Sequence, residues 1–369
     1  MQAHVNCPEL DLDPFSTQFL SNPYPHHAQL RDAGPVVKLT RYGIHAMARH
    51  AEVHASLSDW QSFSSAAGVG MLHFGKETPW RPPSIILEAD PPLHTRTRSV
   101  LMRVLSRTAL AKAQESFQAK ADALVDELIE RASFDAVPQL AERYPLTVFP
   151  DAVGLIKEGR ENLLPYGNMV FNSFGPRNAL FEESIKDGER VRAWIMAQCA
   201  RAALSPDGLG AQIYACADKG EISQEEAGLL VRSLLSAGLD TTVYSLGNAL
   251  LCFARFPEQW QLLRADPSLA RAAFEEVVRY ASPVQTFFRT TSKAVEIAGV
   301  RIGADEKVLL FLAAANRDPR KWEQPELFDI RRKAVGHVGF GAGIHMCVGQ
   351  QVARLEAETM LTTLARSVE

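Results

Sequence analysis

The sequence is poor in the features that mark most special classes of protein. Five cysteines are scattered through 369 residues, at Cys7, Cys199, Cys216, Cys252 and Cys347, and none forms a CxxC pair. An odd number without paired spacing argues against a disulfide framework and a structural zinc site, and suits a reducing compartment. No run approaches the roughly 18 uninterrupted apolar residues of a membrane span. The opening MQAHVNCPELDLDPF lacks the basic region and apolar core of a signal peptide. Neither sign of charge dominates. The formal net charge is -4, so nothing global points to nucleic acid or to an acidic membrane surface. No internal repeat, low-complexity tract or Gly/Ser linker divides the chain. One domain spanning 1–369 is expected, cytoplasmic and monomeric, with 46% hydrophobic residues to build its core.

What is present is mostly helical. A β-rich part is expected at about 35–85, with runs PVVKLT (35–40) and IHAMA (44–48), and a second at about 290–315 within AVEIAGVRIGADEKVLLFLAAAN. Between and after them, 110–132, 185–204 and 269–281 carry apolar residues at three- and four-residue steps. The longest periodic run starts at Ser223, which with Glu226 makes an S-x-x-E capping box, and meets no proline before Pro257. That spacing predicts one central helix of about 33 residues, roughly 50 Å long.

The segment FGAGIHMCVG (340–349) carries the most chemistry. Cys347 sits just before a helical pattern, where amides at a helix N-terminus stabilise a thiolate. Gly341, Gly343 and Gly349 let the backbone pass close to a flat macrocycle, where side chains would collide. A lone cysteine is more often a buried structural residue. The complete order F-x-x-G-x-x-x-C-x-G near the C-terminus is specific, and it resembles the cysteine loop of the cytochrome P450 family. The resemblance implies a mainly α fold with a minor β region, a central long helix, and haem b whose iron takes Cys347 as ligand. Thiolate ligation favours O–O cleavage.

Other stretches match the same family. Glu276 and Arg279 stand as its E-x-x-R pair, although such a pair by itself is usually a weak surface contact. Leu327 occupies the place of the Arg or His that normally completes this network, leaving Arg320 or Arg331 as substitutes, or a smaller network. AGLDTT (237–242) resembles the oxygen-binding groove, which implies that Asp240 relays protons and Thr241 offers a hydroxyl to the reacting dioxygen. The haem propionates need buried partners. His94 and Arg98 lie on one helical face, and with Arg289 and His345 they match the family's propionate contacts; Phe340, Gly341 and Gly349 line the macrocycle.

The resemblance is nearest to soluble bacterial members that oxidise para-substituted benzoic acids, through WRPPSIILEADPP, VFNSFGPRNALF, VRSLLSAGLDTT and SPVQTFFRTT. It implies a carboxylate held near Arg81, Ser84, Arg232 and Ser233. Phe171, Phe174 and Phe287 then enclose the ring beside Leu87, Ser236, Ala237 and Val284. Independently, Ser233, Ser236, Ala237 and Asp240 recur at helical steps and are predicted to share one stripe. The implied activity is hydroxylation or O-demethylation at the para substituent, with O2 and electrons from an iron–sulfur ferredoxin served by an NAD(P)H-dependent reductase. Three other readings remain open from sequence: a hydroxylase of a neutral apolar substrate such as a terpenoid, a peroxide-driven enzyme, and a haem-binding sensor or carrier without turnover.

Overall fold

A computed structural model describes residues 7–131 and 133–368. Among the described residues there are eight short strands: β1 (Glu9–Leu10), β2 (Val37–Leu39), β3 (Ile44–Met47), β4 (Phe63–Ser64), β5 (Thr286–Thr291), β6 (Val295–Ile297), β7 (Val300–Ile302) and β8 (Lys307–Phe311). Six form a mixed sheet in the order β1-β2-β3-β8-β5-β4, and β6 pairs β7 as a separate hairpin. The main sheet therefore joins the first hundred residues to the segment after residue 285. Two pairings do the joining: β8 lies parallel to β3, and β5, antiparallel to β8, takes β4 on its other edge. The second β region begins earlier than the sequence predicts, at Thr286, and β8 gives way to a helical turn at Leu312–Ala315.

The helices that position the site are α1 (Leu93–Val104), α2 (Arg107–Glu130), α3 (Arg143–Val153), α4 (Leu163–Asn172), α5 (Gln224–Ala237), α6 (Asp240–Arg255), α7 (Ala270–Tyr280) and α8 (Gln350–Ser367). α2 begins where the Ser106 hydroxyl accepts from Ala109 N at 3.3 Å, and it buries Leu110, Phe117, Ala121, Leu124, Val125 and Leu128 against α8. That apolar stripe, not intrinsic propensity, is what holds a surface helix in place.

The long helix is not continuous. The capping box forms as expected, with Glu226 N on Ser223 Oγ at 3.0 Å and Ser223 N on Glu226 Oε2 at 2.8 Å. The helix then stops at Ala237 and restarts at Asp240, so the predicted 33-residue element is α5 followed by α6. Packing accounts for the break. A Cβ at Gly238 would stand 2.4 Å from Phe149 Cζ, so the α3 ring leans directly on bare backbone. The Ala237 carbonyl is instead taken by the Thr241 hydroxyl, at 3.0 Å.

The Glu276–Arg279 pair is fully buried and bidentate, at 2.7 and 2.8 Å. Arg279 also donates to the carbonyls of Asn316, Pro325 and Leu327. The third member is Arg332, whose Nε reaches Glu276 Oε1 at 3.1 Å, and it replaces both substitutes considered from sequence. Arg320 bonds Asp318, and Arg331 stays exposed. Leu327 thus contributes its carbonyl where a cationic side chain is usual. Glu276→Ala leaves the buried Arg279 guanidinium without its carboxylate and removes one partner of the half-buried Arg332, with an expected loss of about 3–5 kcal/mol. Arg331→Ala is expected to stay within about 0.5 kcal/mol. Denaturant unfolding of both variants checks the contrast.

Candidate active site

Cys347 lies between a short 3-10 turn at Gly343–His345 and the start of α8. Its amide donates to Phe340 O at 2.8 Å, and its carbonyl accepts from Gln350 Nε2 at 2.9 Å, which fixes the loop from both sides. Burial pushes the thiol pKa up, while amides of Gly349 and Gln350 and the charges of Arg98 and Arg354 pull it down. Arg354 stacks over Phe340, 4.6 Å from the ring centre, and is itself paired with Glu275. Gly343 has φ of +65°, and a Cβ there would lie 2.6 Å from Leu57 O, so the turn needs glycine.

Above this loop the structure gathers four basic side chains from three separate stretches. His94 on α1 is 1% exposed, and both of its ring nitrogens are buried without a partner. The His345 ring, also without a close partner, lies 4.3 Å from it centre to centre. Arg289 on β5 is 3% exposed and donates to the Phe288 carbonyl at 2.9 Å; burial pushes its pKa down to about 10. Arg98 donates to Met346 O at 2.6 Å. Burial, then the neighbouring His345 and Arg98, pushes the His94 pKa to about 4. Asp90 is the acid among them, 3.7 Å from His345. Buried donors and charges left unmatched at this density call for anionic partners. A haem with two propionates fits the set, and Cys347 fits its iron.

The remaining candidates fall into two groups rather than one stripe, because the break after Ala237 reorients Asp240. In the first, Arg81 forms a bidentate pair with Glu88 at 2.9 and 3.1 Å, and its Nε is buried without a partner. Arg232 donates to Pro83 O at 3.0 Å, and its Nη1 is likewise unmatched. Ser84 Oγ and Ser233 Oγ are 3.2 Å apart; Ser233 donates to Leu229 O, and Ser236 bonds the Ser233 carbonyl. Leu87 N donates to Ser84 Oγ.

The second group surrounds a cavity of about 330 Å³ lined by Phe171, Phe174, Val284 and Asp240, among others. Phe171 meets Phe174 edge to face, with ring centres 5.8 Å apart, and Phe174 meets Phe287 at a tilt, 5.7 Å apart. A strap at 69–71 ties Phe174 to the sheet: Phe288 N donates to Val69 O, and Met71 N to Phe174 O. None of Arg81, Ser84, Arg232 or Ser233 lines this cavity. Asp240 is 4% exposed with Oδ1 unmatched, and burial, then Glu142, raises its pKa to about 7. Its other oxygen presses on α4, where a Cβ at Gly167 would stand only 1.8 Å away.

Glu88, Asp90, Gly167, Arg332 and Arg354 escaped the sequence reading. Only Arg332 carried a local signal, the RRK run after QPELF. The others lie in irregular segments or on helices with no periodic cue to a site.

A cysteine loop opposite a buried basic cluster, with a broken helix between aromatic walls, defines a haem-thiolate oxygenase site. A sequence model of the cytochrome P450 family matches residues 209–367. Cytochrome P450 CYP199A2 of Rhodopseudomonas palustris is 58% identical over 368 residues, covering 100% of this chain and 89% of that one. The vitamin D(3) 25-hydroxylase of Pseudonocardia autotrophica is 32% identical, covering 95% and 88%. Among solved structures, CYP109Q5 from Chondromyces apiculatus matches with a TM-score of 0.80 and 32% identity, over 96% of this chain and 90% of that chain. The chain belongs to the cytochrome P450 family; it is a P450 monooxygenase, and its cofactor is haem b. Among the described residues, no helix is long and apolar enough to cross a membrane.

The raised pKa of Asp240 sets a sign for pH dependence. The folded state holds this proton to a higher pH than the unfolded state does, so the group costs stability as pH rises through about 7. Replacing it removes that cost. The melting temperature of Asp240→Asn relative to the natural protein is expected to climb between pH 5 and 8, read by calorimetry at several pH values. Gly167→Ala displaces the Asp240 carboxyl. It is expected to lower stability by about 1–3 kcal/mol and to divert reducing equivalents from product to peroxide.

Proposed function

We propose that this enzyme inserts one oxygen atom from O2 into a small aromatic carboxylic acid, by hydroxylation or O-demethylation at the para position. The observation that carries the reading is a charge imbalance. Arg81, Arg232 and Glu88 are all less than a tenth exposed, and two guanidinium groups against one carboxylate leave one buried positive charge. Uncompensated buried charge is costly, and one carboxylate of a bound acid balances it. The unmatched Arg81 Nε and Arg232 Nη1 are the donors available for it, and Ser84 or Ser233 joins them if its hydroxyl turns from its present partner. Phe171, Phe174 and Val284 line the cavity, and in this reading Phe287, Leu87, Ser236 and Ala237 complete the walls for a flat ring.

When bound, haem supplies the redox and oxygen-activating chemistry, with Cys347 as iron ligand and His94, Arg98, Arg289 and His345 receiving the propionates. The other residues orient and exclude. Phe340, Gly341 and Gly349 close the thiolate side against water. Asp240, neutral below about pH 7, holds a proton at its carboxyl beside the broken turn. Thr241 donates to Ala237 O, which leaves its oxygen lone pairs free to accept from a proton-bearing partner. On a para-methoxy substrate the hydroxylated carbon is a hemiacetal, which collapses to a phenol and formaldehyde. Two electrons and two protons balance the second oxygen atom as water. A ferredoxin with an NAD(P)H-dependent reductase is the electron source in this reading, and the protein works as a cytoplasmic monomer.

Titrating the ferric protein with 4-methoxybenzoate is expected to shift the Soret band to shorter wavelength, and its methyl ester is expected to leave the band unmoved. Arg232→Leu removes one buried donor and its charge, weakening binding of the acid on the order of thirtyfold or more. A shift with neutral apolar ligands and none with the acid would overturn the substrate and leave the enzyme class standing.

A further inference from the structure

Among the described residues, no cationic side chain acts on Asp240. Its Oδ1 is buried without a partner, and its Oδ2 rests on the bare backbone of Gly167. α4, the helix pressed against it, brings Gly167, Asn168, Phe171 and Asn172 to this region, none of them titratable. The ionisable neighbour that acts on it is a second acid, Glu142, at the end of the π-helical turn Val137–Glu142. On its own helix, one turn further on, Tyr244 feels both Asp240 and Glu142. A proton arriving here cannot be handed over by a swinging salt bridge. Hydroxyl groups, water and the Glu142 carboxyl remain as carriers.

The cavity beside Asp240 has a polar side suited to that. Asn168 and Asn172 are hydrogen-bonded to each other at 2.8 Å, and with Tyr244 and Asp240 they are among the residues that line the cavity. Tyr244 is 56% exposed and Leu20, also in the lining, is 43% exposed, so the cavity reaches solvent. A space of about 330 Å³ with asparagine and tyrosine side chains in an otherwise largely apolar lining is roomy enough for a chain of waters, and a phenol both donates and accepts.

We propose that the Asn168–Asn172–Tyr244 side of this cavity is the inlet through which solvent protons reach Asp240, with the Tyr244 hydroxyl as the positioning group of its final step. The inference rests on the reading of Asp240 as the acid that passes protons. It adds the route, which shares the cavity with the rings of Phe171 and Phe174.

The test follows the Asp240 carboxyl itself. In full-length protein carrying 13C-labelled aspartate, the protonated-carboxyl infrared band at pH 6 is assigned by its loss in Asp240→Asn. Its exchange into deuterated water is then timed. Tyr244→Phe and the plugging variant Asn168→Leu are expected to slow exchange by about tenfold or more, and to raise the solvent isotope effect on product formation. Equal exchange rates in all three proteins overturn the inlet, and so does the absence of the band at pH 6. Should Asp240→Asn keep fully coupled turnover, the role of the acid fails, whatever the exchange rates. Should it uncouple while Tyr244→Phe exchanges at the natural rate, the role stands and the route is wrong.

Discussion

The break between Ala237 and Asp240 is the constraint on which the rest of the site depends. A straight helix from 224 to 255 would place Ser233, Ser236, Ala237 and Asp240 in one line. Phe149 pressing on Gly238 prevents that, and the Thr241 hydroxyl covers the carbonyl the break would expose. Because the exposed polar group is satisfied locally, the interruption costs little and persists. Its consequence is a division of labour. Ser233 and Arg232 stay on the face toward Ser84 and Arg81, while Asp240 turns toward α4 and the cavity.

Buried charge distinguishes structure from function in this chain. Around Glu276 the accounting is complete: Arg279 and Arg332 share the carboxylate, and surplus donors meet the carbonyls of Asn316, Pro325 and Leu327. Such a network leaves nothing for a ligand and serves to fix α7 against the segment leading to the cysteine loop. Around His94 and His345, and between Arg81 and Arg232, the accounting is incomplete. Buried nitrogens without partners are costly in a finished protein. Each incomplete group here is cationic or able to become so, which is the state an anionic partner would complete.

The cysteine loop was legible in the sequence because its chemistry is local. The glycines, Phe340, His345 and Cys347 fall within ten residues, and the turn that holds them is made by their own backbone. The capping box at Ser223 and the apolar stripe of α2 were readable for the same reason. The sequence names residues 94, 98, 289 and 345 one by one, and only the pairing of β8 with β5, and the packing of α1 on the loop, brings them together.

What the sequence determined alone is the class of chemistry: a thiolate ahead of a helix, a mostly helical chain with a small sheet, and an acid–hydroxyl pair in a weakened helical turn. Tertiary packing decided the rest. Arg332, not its neighbours, completes the Glu276 network because the irregular chain after Leu327 folds back on α7, a path no periodicity encodes. The long helix breaks because a ring from α3 arrives at Gly238. Glu88 takes up two donors of Arg81 from a loop seven residues on, and this contact sets the charge left for a ligand. Such contacts join residues far apart in sequence or held in irregular backbone, where spacing carries no information about distance.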